Sequence, residues 1–388
     1  MLDELLSLDA RRRELLPRLE ELRAKQNAAN DKIAEAKRAG DDASSAIEEM
    51  RGVATEVKQL QAEVGGVEEQ LEKALAGVPN PPDPTAPDED EVLREVGESG
   101  APGRDHLDLL GGLVDMEAGA RVAGSRFAYL KGPLVLLELA LVRWALEVLG
   151  EKGFEPVIPP VLVREEALHG TGFLPDSEQQ IYALPEDELY LAGTSEVPLA
   201  SLHAGQILPE EELPIRYAGF SPCFRREAGA AGKDTRGIFR VHQFDKVEMF
   251  SFVPPEEAGD EHERLLATEE EILQALEIPY RVVNIAVHDL GASAAKKYDL
   301  EAWLPGQERF RELTSTSNTT DFQARRLDVR YRPGDGGVRH VHTLNGTAIA
   351  VGRTIIAVVE NHQQDDGTIA VPPVLHAFGA PEVITASD

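Results

Sequence analysis

The chain has 388 residues, 42% of them hydrophobic and 28% charged, and carries a formal net charge of −30. This is the make-up of a soluble globular protein, and the length exceeds one ordinary domain, so two domains are expected. A single cysteine, Cys223, excludes an internal disulfide framework and a multi-cysteine zinc site and reads as a buried structural thiol.

The first element is a long apolar seam. Leu5, Leu8, Leu15, Leu19, Leu22, Ala29 and Ile33 keep a 3-4 heptad frame, with Arg12 and Gln26 as its polar members. Met50, Val53, Val57, Leu60, Val64, Val67, Leu71, Ala74 and Val78 carry the same frame on. Gly40 and the polar cluster Asp41 to Ser45 separate the runs. Two helices of about 35 residues joined by so short a turn pair antiparallel, giving an arm of order 50 Å at 1.5 Å per residue. Pro17 and Gly65-Gly66 are expected to bend it. Periodicity alone fits an oligomerisation coiled coil as well as an RNA-binding arm. Charge distribution bears on the choice: the first forty residues hold nine Lys/Arg against eight Asp/Glu, leaving −31 on the remainder. Screening confines such fields to about 10 Å at moderate salt, so a relatively basic arm on an acidic body is compatible with RNA docking on the arm.

Pro79, Pro81, Pro82, Pro84 and Pro87, followed by Asp88-Glu89-Asp90-Glu91, predict a stiff acidic linker over 79–103. A second domain is expected over 104–388. The apolar run from Leu134 to Leu149 is broken by Glu138, Arg143 and Glu147, so it reads as an amphipathic core helix rather than a membrane span. With no secretory signal apparent, a cytoplasmic location and no membrane partner are expected. Strand-like segments such as Tyr280 to Val287 and His340 to Leu344 alternate with helical ones, predicting an antiparallel sheet flanked by helices, an α+β fold.

The chemistry concentrates in Phe224-Arg225-Arg226-Glu227-Ala228-Gly229, a Gly/Ala loop, and Phe239 to Glu248. Alternation places Arg225 and Glu227 on one face of a first strand and Phe244, Lys246 and Glu248 on one face of a second. An arginine fork grips phosphate or carboxylate, a carboxylate suits an ammonium or a base donor, and Phe244 offers a stacking surface. A surface hairpin with a solvated ion ladder is the plainer reading of any lone Arg-x-Glu pair. Here Gly229, Gly232 and Gly237 punctuate a connection made basic by Lys233, Arg236 and Arg240, as suits a loop that moves over an anion.

This segment resembles motif 2 of the class II aminoacyl-tRNA synthetases, and Val-His-Gln-Phe-Asp-Lys-Val-Glu is similar to the seryl-tRNA synthetase version. Gly193-Thr194-Ser195-Glu196 resembles the family's Thr-x-Glu substrate loop, and Arg311-Glu312-Leu313-Thr314-Ser315 its metal and ATP segment. Leu344-Asn345-Gly346-Thr347 with Ala350-Val351-Gly352-Arg353 resembles motif 3, and Gly153 to Pro160 resembles the dimer-forming motif 1. The five matches stand in the family's order, and the resemblance covers nearly the whole chain, with the N-terminus short against the family pattern. A carrier-protein aminoacylating relative would lack the long arm and use a cysteine-bearing metal site.

The resemblance implies serine activation by ATP to seryl-adenylate, then transfer to the 3' end of tRNA(Ser), with tRNA(Sec) as a second expected acceptor, by a homodimer. It implies Arg225, Glu248 and Arg353 as the catalytic set. Thr194, Ser195, Glu196, Arg225, Glu248, Asn345 and Thr347 would bind serine. ATP would meet Arg225, Arg226, Glu227, Val241, Phe244, Glu312, Leu313, Thr314, Ser315 and Arg353, with Phe244 on one face of the base and Arg353 on the other. Glu312 and Ser315 are the expected Mg2+ ligands. A lone Glu-x-x-Ser is otherwise a common loop feature. Arg23, Lys25, Lys32, Lys37 and Arg38 on the arm, with Lys233 and Arg236, are the expected tRNA contacts. His288 is expected on the outer face of its strand.

Overall fold

Helix α1, Leu2–Ala39, and helix α2, Ser44–Ala76, form the first of two compact units, residues 1–78. The computed structural model describes residues 2–40, 42–175, 180–228, 234, 236–334 and 336–386, and only the helical backbone of Ser45 and Glu49. Every apolar position of the heptad frame faces inward, and Leu15, Leu19, Val57, Leu60 and Val64 make the buried seam. Burying each such side chain contributes about 1.5–3 kcal/mol, which holds together two helices that are too polar elsewhere to pair. Arg11 to Glu63 at 2.5 Å and Arg12 to Glu68 at 3.0 Å tie the helices at their rim. Both helices run unbroken past Pro17 and Gly65-Gly66.

The second unit, residues 79–388, is built on one eight-stranded sheet. In chain order its strands are β1 Glu91–Val96, β2 Glu155–Val157, β3 Ile215–Phe224, β4 Gln243–Val253, β5 Tyr280–Asn284, β6 Lys296–Leu304, β7 Arg309–Asn318 and β8 His342–Ala350. They lie in the order β1-β5-β6-β7-β8-β4-β3-β2, antiparallel throughout except for the β2–β3 edge. Helices α3 Pro133–Glu151, α4 Ala258–Ala275 and α5 Val351–Asn361 pack their apolar faces with the sheet in one core. The middle strand shows how the two faces divide. Val247 and Met249 enter the helix-covered core, whereas Phe250 and Phe252 enter a second cluster with Leu199 and Tyr331. Period-2 alternation therefore puts Phe244, Lys246 and Glu248 on the face away from the main core, where a site can open.

Three sequence expectations change. The stretch 79–103 is not a free linker: β1 is an edge strand paired with β5, and the Asn80 amide donates to the Ser293 and Thr319 carbonyls at 2.9 Å. Proline-rich composition had hidden six residues able to pair at an open edge. Strand β3 ends at Phe224, so Arg225 and Glu227 lie beyond it, and Glu227 turns the chain with φ +51°. His288 sits in a short 3-10 turn, Val287–Asp289, and is exposed there rather than on a strand. Cys223 is fully buried, and burial pushes its thiol pKa up.

Candidate active site

A cleft, with about 570 Å³ of empty space when the solvent at its open side is included, lies where β4, β7 and β8 meet the loop before β4. Arg225, Glu227, Val241, Phe244, Glu312, Leu313, Thr314, Ser315, Thr347 and Arg353 line it, as do Lys246, Phe239 and Arg240. The chain thus brings together residues from three separate motifs. Arg226 is exposed and outside the lining.

Arg225 is held at the strand end from three sides. Its backbone N–H donates to the His242 carbonyl at 2.9 Å, its Nε donates to the Gly193 carbonyl at 3.1 Å, and its guanidinium lies 5.2 Å over the Phe244 ring. Fixing the side chain in advance leaves the rest of its fork available to an anion without a further entropy cost. Behind it an ion chain runs from Glu227 to Arg240 at 2.6 Å, to Asp234 at 3.7 Å, and to Arg311 at 2.8 Å.

Phe239 was missed by the sequence reading. Arg311 lies 3.9 Å and Arg353 4.7 Å from its ring centroid, so it sits against the arginine expected over the base. The sequence reading began the returning strand at Phe239, whereas β4 begins only at Gln243, so strand alternation did not point this ring into the site. Arg353 also donates to the Glu312 carbonyl at 2.9 Å and pairs with the Glu312 carboxylate at 3.1 Å.

Residues three apart on a regular strand face opposite ways, yet Glu312 and Ser315 share a side. The register explains it: Ser315 pairs with Asp299 and Thr314 with Leu300, but Glu312 pairs with Glu301, leaving Leu313 as a bulge. Asp299, also missed from sequence, falls on that side too. Burial, then Glu312, push the Asp299 carboxyl up to about 7. The Glu312 side chain is half exposed, and Arg353, then Arg225 and Lys297, hold it below the ordinary range.

At the inner end Glu248 is 1% exposed and ion-paired with Lys246, itself 6% exposed. Thr347 lies directly across from Glu248 in the ladder, and Gly219 flanks it on the other side. A Cβ at Gly219 would come 2.7 Å from Leu199 and 3.2 Å from Ser195, so only glycine lets the substrate loop approach this closely. In that loop the Thr194 hydroxyl accepts from the Glu196 N–H at 3.2 Å, while Ser195 donates to the Gly219 carbonyl at 3.3 Å and faces the strand. Glu196 Oε1 accepts from Gln323 at 2.8 Å and Asn345 at 3.1 Å. Burial and then Glu248 push Glu196 up to about 7.

Of the expected tRNA contacts, Arg23, Lys25, Lys32, Lys37 and Arg38 are exposed on α1, with Lys25 paired to Glu21 at 2.7 Å. Arg236 pairs with Asp108 at 2.7 Å, and Lys233 lies outside the described residues. No helix among the described residues is long and apolar enough to cross a membrane.

An antiparallel sheet carrying Arg225 just past a strand end and Arg353 at the head of α5, both lining one cleft, is the arrangement of a class II aminoacyl-tRNA synthetase core. The tRNA synthetase class II core domain (G, H, P, S and T) matches residues 182–362, and the seryl-tRNA synthetase N-terminal domain matches residues 1–82. Serine–tRNA ligases of Thermobifida fusca and Streptomyces coelicolor are each 50% identical to the chain, covering 99% of it and 92% and 93% of the relatives. The crystal structure of seryl-tRNA synthetase from Pyrococcus horikoshii complexed with ATP superimposes with a TM-score of 0.93 at 42% identity, covering 100% of this chain and 93% of that one. The cytoplasmic serine–tRNA ligase of Naegleria fowleri in complex with AMP gives 0.87 at 33%, covering 100% and 92%. The chain belongs to the seryl-tRNA synthetase family, the serine–tRNA ligases of class II.

Proposed function

We propose that this cleft takes ATP and the buried end around Glu248 takes serine, with residues 104–388 catalytic and residues 1–78 the tRNA-binding arm. The observation that supports this most is Arg225, fixed between Gly193 and Phe244 where the two ends meet. There its fork reaches both the α-phosphate of ATP and the carboxylate of serine. That carboxylate attacks the α-phosphorus, the α-to-β phosphoanhydride bond breaks, and pyrophosphate leaves. The 3'-terminal adenosine hydroxyl of tRNA then attacks the seryl carbonyl, and AMP leaves. Neither step needs an enzyme nucleophile, so in-line orientation and neutralised phosphate charge carry the rate.

Arg353 and Phe244 hold the nucleotide, Glu227 the adenine edge, Val241 a backbone contact, and Leu313 and Thr314 the floor, while Arg226 acts from outside the lining. The Lys246 ammonium already rests on Glu248, which marks that carboxylate as a receptor for a cation; serine's ammonium is assigned to it, with Thr194, Ser195 and Glu196 shaping the loop around it. Asn345 and Thr347 meet the hydroxyl. A site whose buried polar groups need that hydroxyl rejects the analogue lacking it by roughly 10⁴ to 10⁵.

Glu312 and Ser315 suit Mg2+, because the bulge gathers hard oxygens on one side and leaves a buried Asp299 oxygen without a hydrogen-bond partner beside them. When bound, the ion supplies charge neutralisation for the phosphates. The acceptors assigned are tRNA(Ser) and tRNA(Sec), read through shape and phosphates by the arm. The exposed apolar side chains Leu136 and Leu139 on α3 and Ile158 after β2 support a homodimer, and a cytoplasmic location goes with this reading. Serine-dependent exchange of pyrophosphate into ATP tests the assignment. No exchange with serine, or faster exchange with threonine or alanine, defeats it.

A further inference from the structure

Phe239 lines the pocket and is itself buried, and its backbone is anchored from an unexpected direction. The short helix His106–Leu110 brings His106, 2% exposed, against the loop that carries Phe239. Its Nδ1 lies 3.0 Å from the Glu360 carboxylate, so that nitrogen carries the proton and Nε2 is an acceptor. Nε2 accepts from the backbone N–H of Ile238 at 3.4 Å. Glu360, fully buried at the end of α5, also accepts from the His106 N–H at 3.2 Å and the Gly306 N–H at 2.9 Å. Every group in this relay is satisfied, so it reads as a support rather than a metal site, although Asp105, His106 and Glu360 are close enough to suggest one. The fit is tight: at Gly237, φ +75°, a Cβ would come 2.2 Å from His106 Nε2.

We propose that His106 is a positioning residue for nucleotide binding. Glu360 fixes its tautomer, Nε2 fixes the backbone at Ile238, and the next residue, Phe239, is thereby held between Arg311 and Arg353. The helix that supplies Arg353 at its start thus sets, through Glu360 at its end, the loop that Arg353 packs upon. No contact in this chain of support reaches the serine end.

The inference rests on the pocket's being the ATP site, and wild-type serine-dependent ATP–pyrophosphate exchange is the control for that reading. In the same assay His106→Leu and His106→Gln are compared. Both lose the ring Nδ1 contact to Glu360 and keep the backbone one, but only glutamine keeps an acceptor within reach of the Ile238 N–H. The KM for ATP is expected to rise about tenfold in the leucine variant and no more than about threefold in the glutamine variant, with the KM for serine unchanged in both. Equal ATP KM values for the two variants, or a parallel rise in both substrates' KM, overturn the proposal. Should neither variant fold, Gly237→Ala tests the same contact from the loop side with His106 and Glu360 intact. It is expected to raise the ATP KM at least tenfold, and an unchanged value overturns the proposal.

Discussion

A buried carboxyl that stays protonated has a measurable consequence at Glu196. Its pKa of about 7 lies above the ordinary 4.5, because burial and the neighbouring Glu248 disfavour its charge. Between those values the folded chain holds the proton more tightly than the unfolded chain does. Stability from this group is therefore fully present below pH 4.5 and lost as pH rises through 7, by about 3 kcal/mol at one pKa unit per 1.36 kcal/mol. Glu196→Gln keeps an oxygen for Gln323 and Asn345 and has nothing to titrate. Melting temperatures at pH 5 and pH 8 should fall less in the variant than in the wild type, whereas equal falls would remove the assignment. Arg225 offers a second residue-level test. Arg225→Lys keeps the charge but replaces a fork, already anchored through Nε on Gly193, with a mobile point charge. Exchange should drop about 100-fold or more, the size seen when one transition-state donor is lost; a drop below tenfold would mean that charge alone suffices.

At the scale of elements, what could be read in advance depended on whether a regular period carried the information. The arm is regular, and its heptad frame named all five residues of the buried seam, Leu15, Leu19, Val57, Leu60 and Val64, though not Leu16, which packs beside them. Alternation likewise placed Phe244, Lys246 and Glu248 together on β4. The bulge at Leu313 breaks the period, and the Lys296–Leu304 segment was not singled out in the sequence, so Asp299 stayed invisible as a neighbour of Glu312 and Ser315. The strand stops at Phe224, and Glu227 turns the chain through a positive φ that a glutamate seldom adopts, so the first strand of the hairpin was drawn three residues too long. Pairing of β1 to β5 joins residues far apart in sequence, a partnership that local composition cannot show. Because the arm's stability rests on its seam, Leu15→Ala, at a position with no exposure, should cost about 2–5 kcal/mol within that unit. Thermal melting followed by helical circular dichroism should show an early transition, with pyrophosphate exchange retained and tRNA charging reduced; a single unshifted transition would contradict the seam.

For the whole molecule the question is how a chain of net charge −30 takes a polyanion. Its excess negative charge lies outside the first forty residues, so beyond a Debye length of about 10 Å the body neither helps nor much hinders, and contacts at the arm decide affinity. Arg23, Lys32, Lys37 and Arg38 are exposed on α1, and among the described residues no carboxylate pairs with them as Glu21 does with Lys25. If they neutralise phosphates, each releases counterions, and the salt slope of binding changes by roughly 0.7–0.9 per contact. Replacing Arg23, Lys32 and Lys37 together by glutamine should raise the KM for serine tRNA and lower the slope of log KM against log salt by about 2 to 3. Serine-dependent pyrophosphate exchange, assigned above to the second unit, should stay at the wild-type rate. A slope unchanged by the triple substitution would return the arm to its other sequence reading, a coiled coil for assembly, and would leave the acidic body to find its RNA by contacts nearer the pocket.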